Sequence, residues 1–194
     1  KFNLANHNII YEPYDESSYK VFVNENECWP PVDYTNHTKY STLNNGLQLG
    51  SNNYFLYNLP SQFKFYNTIY NEVYVNENGY ITFGIGESAF VQNLLQNHFS
   101  RNRISGLFLN LLKNTEGTTS TGWEGTNSDI FIGSGRYGEI VITYQNYIHN
   151  PATVNYRVDF QIRLFLSPTT DPNNLYSDDN FKEGTIQVSY NNNT

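Results

Sequence analysis

The chain predicts an all-β fold, a two-sheet antiparallel sandwich of jelly-roll or Greek-key type with at most one short helix. Three observations carry that expectation. From residue 46 onward, short runs rich in β-branched and aromatic residues recur between turns bearing Gly, Asn, Ser and Pro. Val158, Phe160, Ile162, Leu164 and Leu166 alternate without a break, the two-residue period of a strand with one buried face. Within residues 69–83, Asn78-Gly79 lies between two such runs, the strongest short-range hairpin signal a sequence carries.

Residues 1–24 read as a first hairpin. Phe2-Asn3-Leu4 and Ile9-Ile10-Tyr11 lead into a turn over residues 12–17, and Tyr19, Val21 and Val23 then alternate as a strand with one buried side. Residues 24–45 are polar and hold Cys28-Trp29-Pro30-Pro31. Two consecutive prolines exclude a central strand, so this segment reads as a connection laid over the core with Trp29 as its anchor. Leu47 and Leu49, residues 54–57, and then Phe63 and Phe65 read as short strands broken at Gly50-Ser51-Asn52 and Leu59-Pro60-Ser61.

In the hairpin of residues 69–83, register decides the loop. A two-residue turn at Asn78-Gly79 sets Val75 opposite Thr82 and scatters the aliphatic residues over both faces. A three-residue loop over residues 77–79 sets Val75 opposite Ile81 and Val73 opposite Phe83. That gives one apolar face, with Gly79 left-handed in a G1 bulge, and is the preferred register.

Beyond the hairpin, residues 89–95 have helical spacing over one or two turns. Residues 104–112 are an apolar run, read as a strand buried on both faces with helix as the competing reading. Residues 113–128 form a long loop around Trp123. Residues 130–133 and 139–144 pair across residues 134–138, a second loop spans 146–155, and strands follow at 156–166 and 184–190. One domain over residues 1–194 is expected, with residues 1–45 as an N-terminal hairpin and connection packed on it. The alternative is a small extension over 1–45 joined to a domain at 46–194.

Hydrophobic content is a low 38% against 16% aromatic, so Tyr and Phe must make much of the core, and the tyrosines need no functional explanation by number. A net charge of −7 argues against nucleic acid or an anionic membrane as partner. No run is long and apolar enough to cross a bilayer. The single cysteine, Cys28, can pair outside this chain, carry an adduct, or be buried as a small hydrophobe. The absence of methionine, even at position 1, suggests a processed or excised fragment with neighbouring domains in a larger chain.

Six segments in order resemble a pattern of nidogen-like domains and of large surface proteins of planctomycetes and other bacteria. They are Phe63-Lys64-Phe65-Tyr66-Asn67-Thr68-Ile69-Tyr70, then residues 73–84, then Arg103-Ile104-Ser105-Gly106-Leu107-Phe108-Leu109-Asn110-Leu111. Val141-Ile142-Thr143-Tyr144-Gln145-Asn146, Phe160-Gln161-Ile162-Arg163-Leu164-Phe165 and Gly184-Thr185-Ile186-Gln187-Val188-Ser189-Tyr190 complete them. The resemblance covers residues 46–190 and leaves the first 45 outside. It implies an extracellular β-rich module without known catalytic residues, used in adhesion, matrix or surface-layer architecture. Where that pattern usually carries acidic residues after the aromatic of the Arg-Ile strand, this chain has Leu109-Asn110.

Candidate sites compete with structural explanations. Asp171, Asn173, Asp178 and Asp179 place hard oxygen ligands in a polar loop, the chemistry calcium takes, but without EF-hand spacing, and a solvated turn is the commoner explanation. His7, His37, His98 and His149 have no zinc-ligand spacing. Glu72, Glu77, Glu87, Glu124 and Glu139 could supply a hydrolytic carboxylate pair, yet nothing nominates two of them. Trp123 and Tyr137, in or beside long polar loops, are candidates for stacking on a sugar. Asn36 and Asn192 head glycosylation triplets that matter only in a eukaryotic source. The expected function is a non-enzymatic extracellular or cell-surface adhesion or matrix module that contacts a protein or glycan. The alternatives are a carbohydrate-binding module and, third, a glycan-processing enzyme. No cofactor is expected, calcium excepted.

Overall fold

The computed structural model describes residues 6–25, 30–43, 53–88, 100–107, 111–113, 128–149, 157–167 and 181–191. Two antiparallel sheets face one another across an apolar layer. The larger draws on β1 (His7–Pro13), β2 (Tyr19–Glu25), β3 (Thr38–Lys39), β8 (Leu111–Lys113), β9 (Asp129–Ser134), β10 (Ile140–His149), β11 (Arg157–Leu164) and β12 (Ile186–Tyr190). Its order is β2-β1-β12-β11-β10-β9-β3, with β8 pairing the far end of β10. The smaller sheet runs β4 (Tyr54–Phe65), β5 (Thr68–Asn76), β6 (Tyr80–Thr82), β7 (Arg103–Ser105). The one helical turn among the described residues, α1 (Tyr40–Leu43), stacks Tyr40 on Phe55 at 4.2 Å and so spans from one sheet to the other.

The alternation read from β11 becomes its two faces. Phe160, Ile162 and Leu164 enter the core beside Ile140, Ile142 and Tyr144 of β10, while Gln161 and Arg163 point outward. From the smaller sheet come Phe63, Phe65, Val73, Val75, Ile81 and Phe83, three of them aromatic, as the composition requires. Phe63 and Phe65 both stack on Phe83, at 5.4 and 5.0 Å.

The β5–β6 hairpin has the three-residue loop. Val75 pairs Ile81 and Asn76 pairs Tyr80, which leaves residues 77–79 in the turn, and Gly79 has φ +83°. The turn is polar but wholly buried. The Tyr144 hydroxyl donates to the carbonyls of Asn76 (2.7 Å) and Tyr80 (3.2 Å). Leu111 N–H donates to Asn78 Oδ1 (3.1 Å), and the N–H groups of Gly106 and Leu107 both donate to the Gly79 carbonyl (3.0 Å). These bonds meet the requirement that buried backbone polar groups find partners.

Three expectations are corrected. Residues 104–112 are not one strand: β7 lies in the smaller sheet and β8 in the larger, and the chain crosses between them where Gly106 lets the Phe160 ring approach; a Cβ there would sit 2.4 Å from it. The segments around Leu59-Pro60-Ser61 form one strand, β4, in which Pro60 falls within a register shift between Asn58 and Phe63 on an edge where no ladder bond is lost. A described helical turn lies at residues 40–43, and the helix expected at residues 89–95 lies, with Leu47 and Leu49, outside the described residues. Tyr19, Val21 and Val23 do share the face of Ile9 and Tyr11, but Val21 and Val23 remain 56% and 57% exposed because the smaller sheet covers only the Tyr19 end.

Gly79→Ala is expected to cost at least about 2 kcal/mol in urea unfolding, since an L side chain at that φ is strained and its Cβ would lie 2.5 Å from the Leu107 carbonyl oxygen. Burial raises the phenols of Tyr144 and Tyr147 well above their ordinary range and Tyr19 to about 12. The unfolded chain ionises them near pH 10, so the stability they hold is complete below that pH and is lost as pH rises above it. A melting temperature that falls steeply between about pH 10 and 12, less so in Tyr144→Phe than in the parent, is the expected readout.

Candidate functional site

The outward face of the larger sheet is polar and buried. Arg163 on β11 donates to Glu139 Oε1 and to Gln187 Oε1 of β12, each at 2.6 Å, and its guanidinium lies 5.0 Å from the Phe165 ring. Glu139 also accepts from Tyr137 N–H at 2.8 Å. The line continues through Gln187 Nε2 to Ser189 Oγ (3.4 Å) and from Ser189 Oγ to Asn8 Oδ1 (3.0 Å), so it runs from the β9–β10 turn across β11 and β12 to β1. The connection between β2 and β3 covers part of this face. Gln161 exchanges hydrogen bonds with the Val32 backbone, Tyr34 packs edge-on against Phe131 at 5.0 Å, and the His37 ring lies over Gly133. Burial lowers the pKa of His37.

The outward face of the smaller sheet holds a second ion pair. Arg103 of β7 pairs with Glu87 and places its guanidinium 4.5 Å from the Tyr80 ring, while Asn76 Nδ2 donates to the Glu87 carbonyl. Thr82 Oγ1 donates to the Ile85 carbonyl (2.7 Å), and Gly86 lies flat on the Tyr54 ring. Residues 84–88 are thereby clamped over the sheet. The first network ties β11 and β12 to the β9–β10 turn, and the second ties β7 to residues 84–88.

Two features are directed at solvent. The first is β2, the outer strand of the larger sheet. It pairs β1 from His7↔Glu25 to Pro13↔Tyr19 without a register shift and contains no proline. Val21, Phe22 and Val23 are 56%, 45% and 57% exposed. The bond from Tyr14 N–H to the Ser18 carbonyl (3.0 Å) sets the phase of the ladder. By antiparallel alternation, the backbone groups of Tyr19, Val21, Val23 and Glu25 then point away from β1. Among the described residues, the other sheet edges are two residues long (β3), three residues long (β7 and β8), or interrupted by Pro60 and a register shift (β4). The second feature is a recess of about 400 Å³ between the β1–β2 turn, the β4–β5 turn and residues 182–183.

Of the sequence candidates, Tyr137 lies in the β9–β10 turn, half-buried, with its ring 6.1 Å from Phe181 and the Arg136 guanidinium 5.8 Å away. Asn36 is exposed in the turn before β3. Trp123, Asp171, Asn173, Asp178, Asp179, Asn192, Cys28 and Trp29 lie outside the described residues. Among the glutamates, Glu139 and Glu87 pair with arginines, Glu72 accepts from the Tyr74 hydroxyl at 3.0 Å, and Glu77 belongs to the buried turn. Among the described residues, no group of three His, Cys, Asp or Glu side chains is placed to hold a metal. No described helix is long and apolar enough to cross a membrane. The exposed β2 edge and the recess escaped the sequence reading because both depend on where the smaller sheet ends.

The protein family described as NIDO related, that is nidogen-related, matches residues 19–171. The match takes in β2, which the resemblance left outside, and ends before β12. No curated protein and no solved structure matches the chain.

Glu139→Gln is expected to destabilise the fold by about 3–5 kcal/mol in denaturant titration, since it leaves a buried guanidinium without its carboxylate. The double variant Glu139→Gln with Arg163→Met is expected to recover most of that loss.

Proposed function

Because the chain belongs to the nidogen-related family, whose members are generally non-enzymatic modules of extracellular type, we propose that it is an adhesion or matrix module that makes structural contacts by strand addition along β2. The observation that carries this reading is the unbroken seven-residue edge with three exposed apolar side chains. Sheet edges of ordinary domains are blunted by charge, proline, bulges or brevity, and this sheet's opposite edge is. Edge strands left open are the docking rail for an added strand, with main-chain bonds giving affinity and alternate side chains giving specificity.

The occupant that β2 fits best is a second copy of itself. An antiparallel pairing centred on Phe22 sets Phe22 against Phe22, Val21 against Val23, Lys20 against Asn24 and Tyr19 against Glu25. The pairs at Val21 and Val23 are then the hydrogen-bonded ones, the phase their outward backbone groups require. The four valines form one apolar cluster on the core-side face, and no like charges oppose one another. The same symmetry keeps each face of the two sheets continuous. One strand pair is small beside the roughly 1,200–2,000 Å² of a stable interface, so the contact is weak and acts where copies are crowded.

Sedimentation equilibrium up to the highest soluble concentration is the test. A dimer that grows with concentration in the parent and is absent from Val21→Lys/Val23→Lys, at an unchanged melting temperature, is expected. A parent that stays monomeric, or a dimer indifferent to those substitutions, overturns the pairing.

A further inference from the structure

We propose that the recess between the β1–β2 and β4–β5 turns is a binding site for a neutral oligosaccharide, distinct from the β2 edge. Its volume of about 400 Å³ lies within the range of small-ligand sites, roughly 300–1,000 Å³. Tyr14, from a turn of the larger sheet, is 64% exposed, and Tyr66, from a turn of the smaller sheet, is 43% exposed. Two exposed phenol rings from opposite sheets bordering one recess offer the flat apolar surfaces on which the C–H faces of a sugar ring pack.

Tyr66 is held there at a cost. Its φ of +52° is a left-handed conformation that a bulky L residue adopts rarely, and Gly or Asn suits the position better. The surroundings impose it. Tyr66 N–H donates to the Tyr19 hydroxyl (3.4 Å), and its ring meets Tyr19 edge-on at 5.1 Å and Phe65 at 4.7 Å. Strain of this kind concentrates at ligand sites, where a side chain is presented rather than packed away. Tyr14 is fixed from its own strand pair, with Lys20 Nζ 4.3 Å from the ring centre.

The polar lining selects the ligand class. Asp15 is engaged by Ser17 N–H (2.8 Å) and Ser17 Oγ (3.0 Å), Lys182 by Glu12 (2.6 Å), and Glu183 by Ser167. Lys64 and Glu16 make no ion pair or side-chain hydrogen bond among the described residues. The recess thus offers a free donor group and a free acceptor group beside two aromatic faces, while its charges of both signs nearly cancel. A phosphate or polyanion needs an excess of cations, and an apolar ligand would strand the charged rim. A neutral, hydroxyl-rich ring that both accepts and donates satisfies all of it.

An array of neutral and acidic oligosaccharides, followed by calorimetric titration with the best-bound neutral one, tests the site. Binding to neutral members is expected, with affinity lowered at least tenfold by Tyr14→Ala and by Tyr66→Asn. Tyr66→Asn is expected to keep the parent's melting temperature, since Asn relieves the left-handed strain; a ring kept only for packing would lower it. Val21→Lys/Val23→Lys is expected to bind the glycan as the parent does, which separates this site from the strand edge. No binding to neutral glycans, binding to acidic glycans alone, or binding that survives both tyrosine substitutions overturns the proposal.

Discussion

A polar turn at the centre of an apolar layer sets the terms for this fold. Residues 77–79 close the β5–β6 hairpin inside the sandwich, where each backbone group must be met by protein. The partners come from every direction: Tyr144 from the opposite sheet, Leu111 from the start of β8, and Gly106 and Leu107 from the crossover between sheets. A core of oily side chains alone is indifferent to small shifts of one sheet over the other. Hydrogen bonds with narrow distance and angle requirements are not, so the turn fixes sheet against sheet in a single register. The approach of Phe160 to Gly106 and of the Leu107 carbonyl to Gly79 is the steric side of that constraint.

The outward faces follow the same logic with charge. Arg163 with Glu139 is withdrawn from water and Arg103 with Glu87 largely so; the first ties β11 to the β9–β10 turn and the second ties β7 to residues 84–88. Buried pairs of this kind add little net stability, but they penalise any arrangement that separates them. With the turn between the sheets and an ion pair outside each, polar contacts determine the arrangement of all three layers.

The elements legible in the sequence were those governed by local chemistry. Register in the Asn78-Gly79 hairpin followed from requiring Val73, Val75, Ile81 and Phe83 to share a face, and the alternation along β11 followed from its period. What local pattern could not carry was reach. The alternation of Tyr19, Val21 and Val23 is that of a half-buried strand, and only the width of the smaller sheet leaves two of the three in water. Residues 104–112 look continuous because each is suited to a strand, whereas the break at Gly106 is imposed by Phe160, fifty-odd residues away in sequence. The recess has the same origin, since Tyr14 and Tyr66 border it from different sheets.

The placement of β1 beside β12 has a mechanical meaning. The strands run antiparallel with Asn8 opposite Ser189, so the start of one and the end of the other lie at the same end of their ladder. A pull entering the chain ahead of β1 and leaving after β12 acts on that end alone. It loads the ladder like a zipper, opening Asn8 from Ser189 before Ile9 from Val188, rather than shearing all the pairs together. The module therefore yields to stretching one rung at a time, and the β5–β6 hairpin between the sheets lies off the line of force.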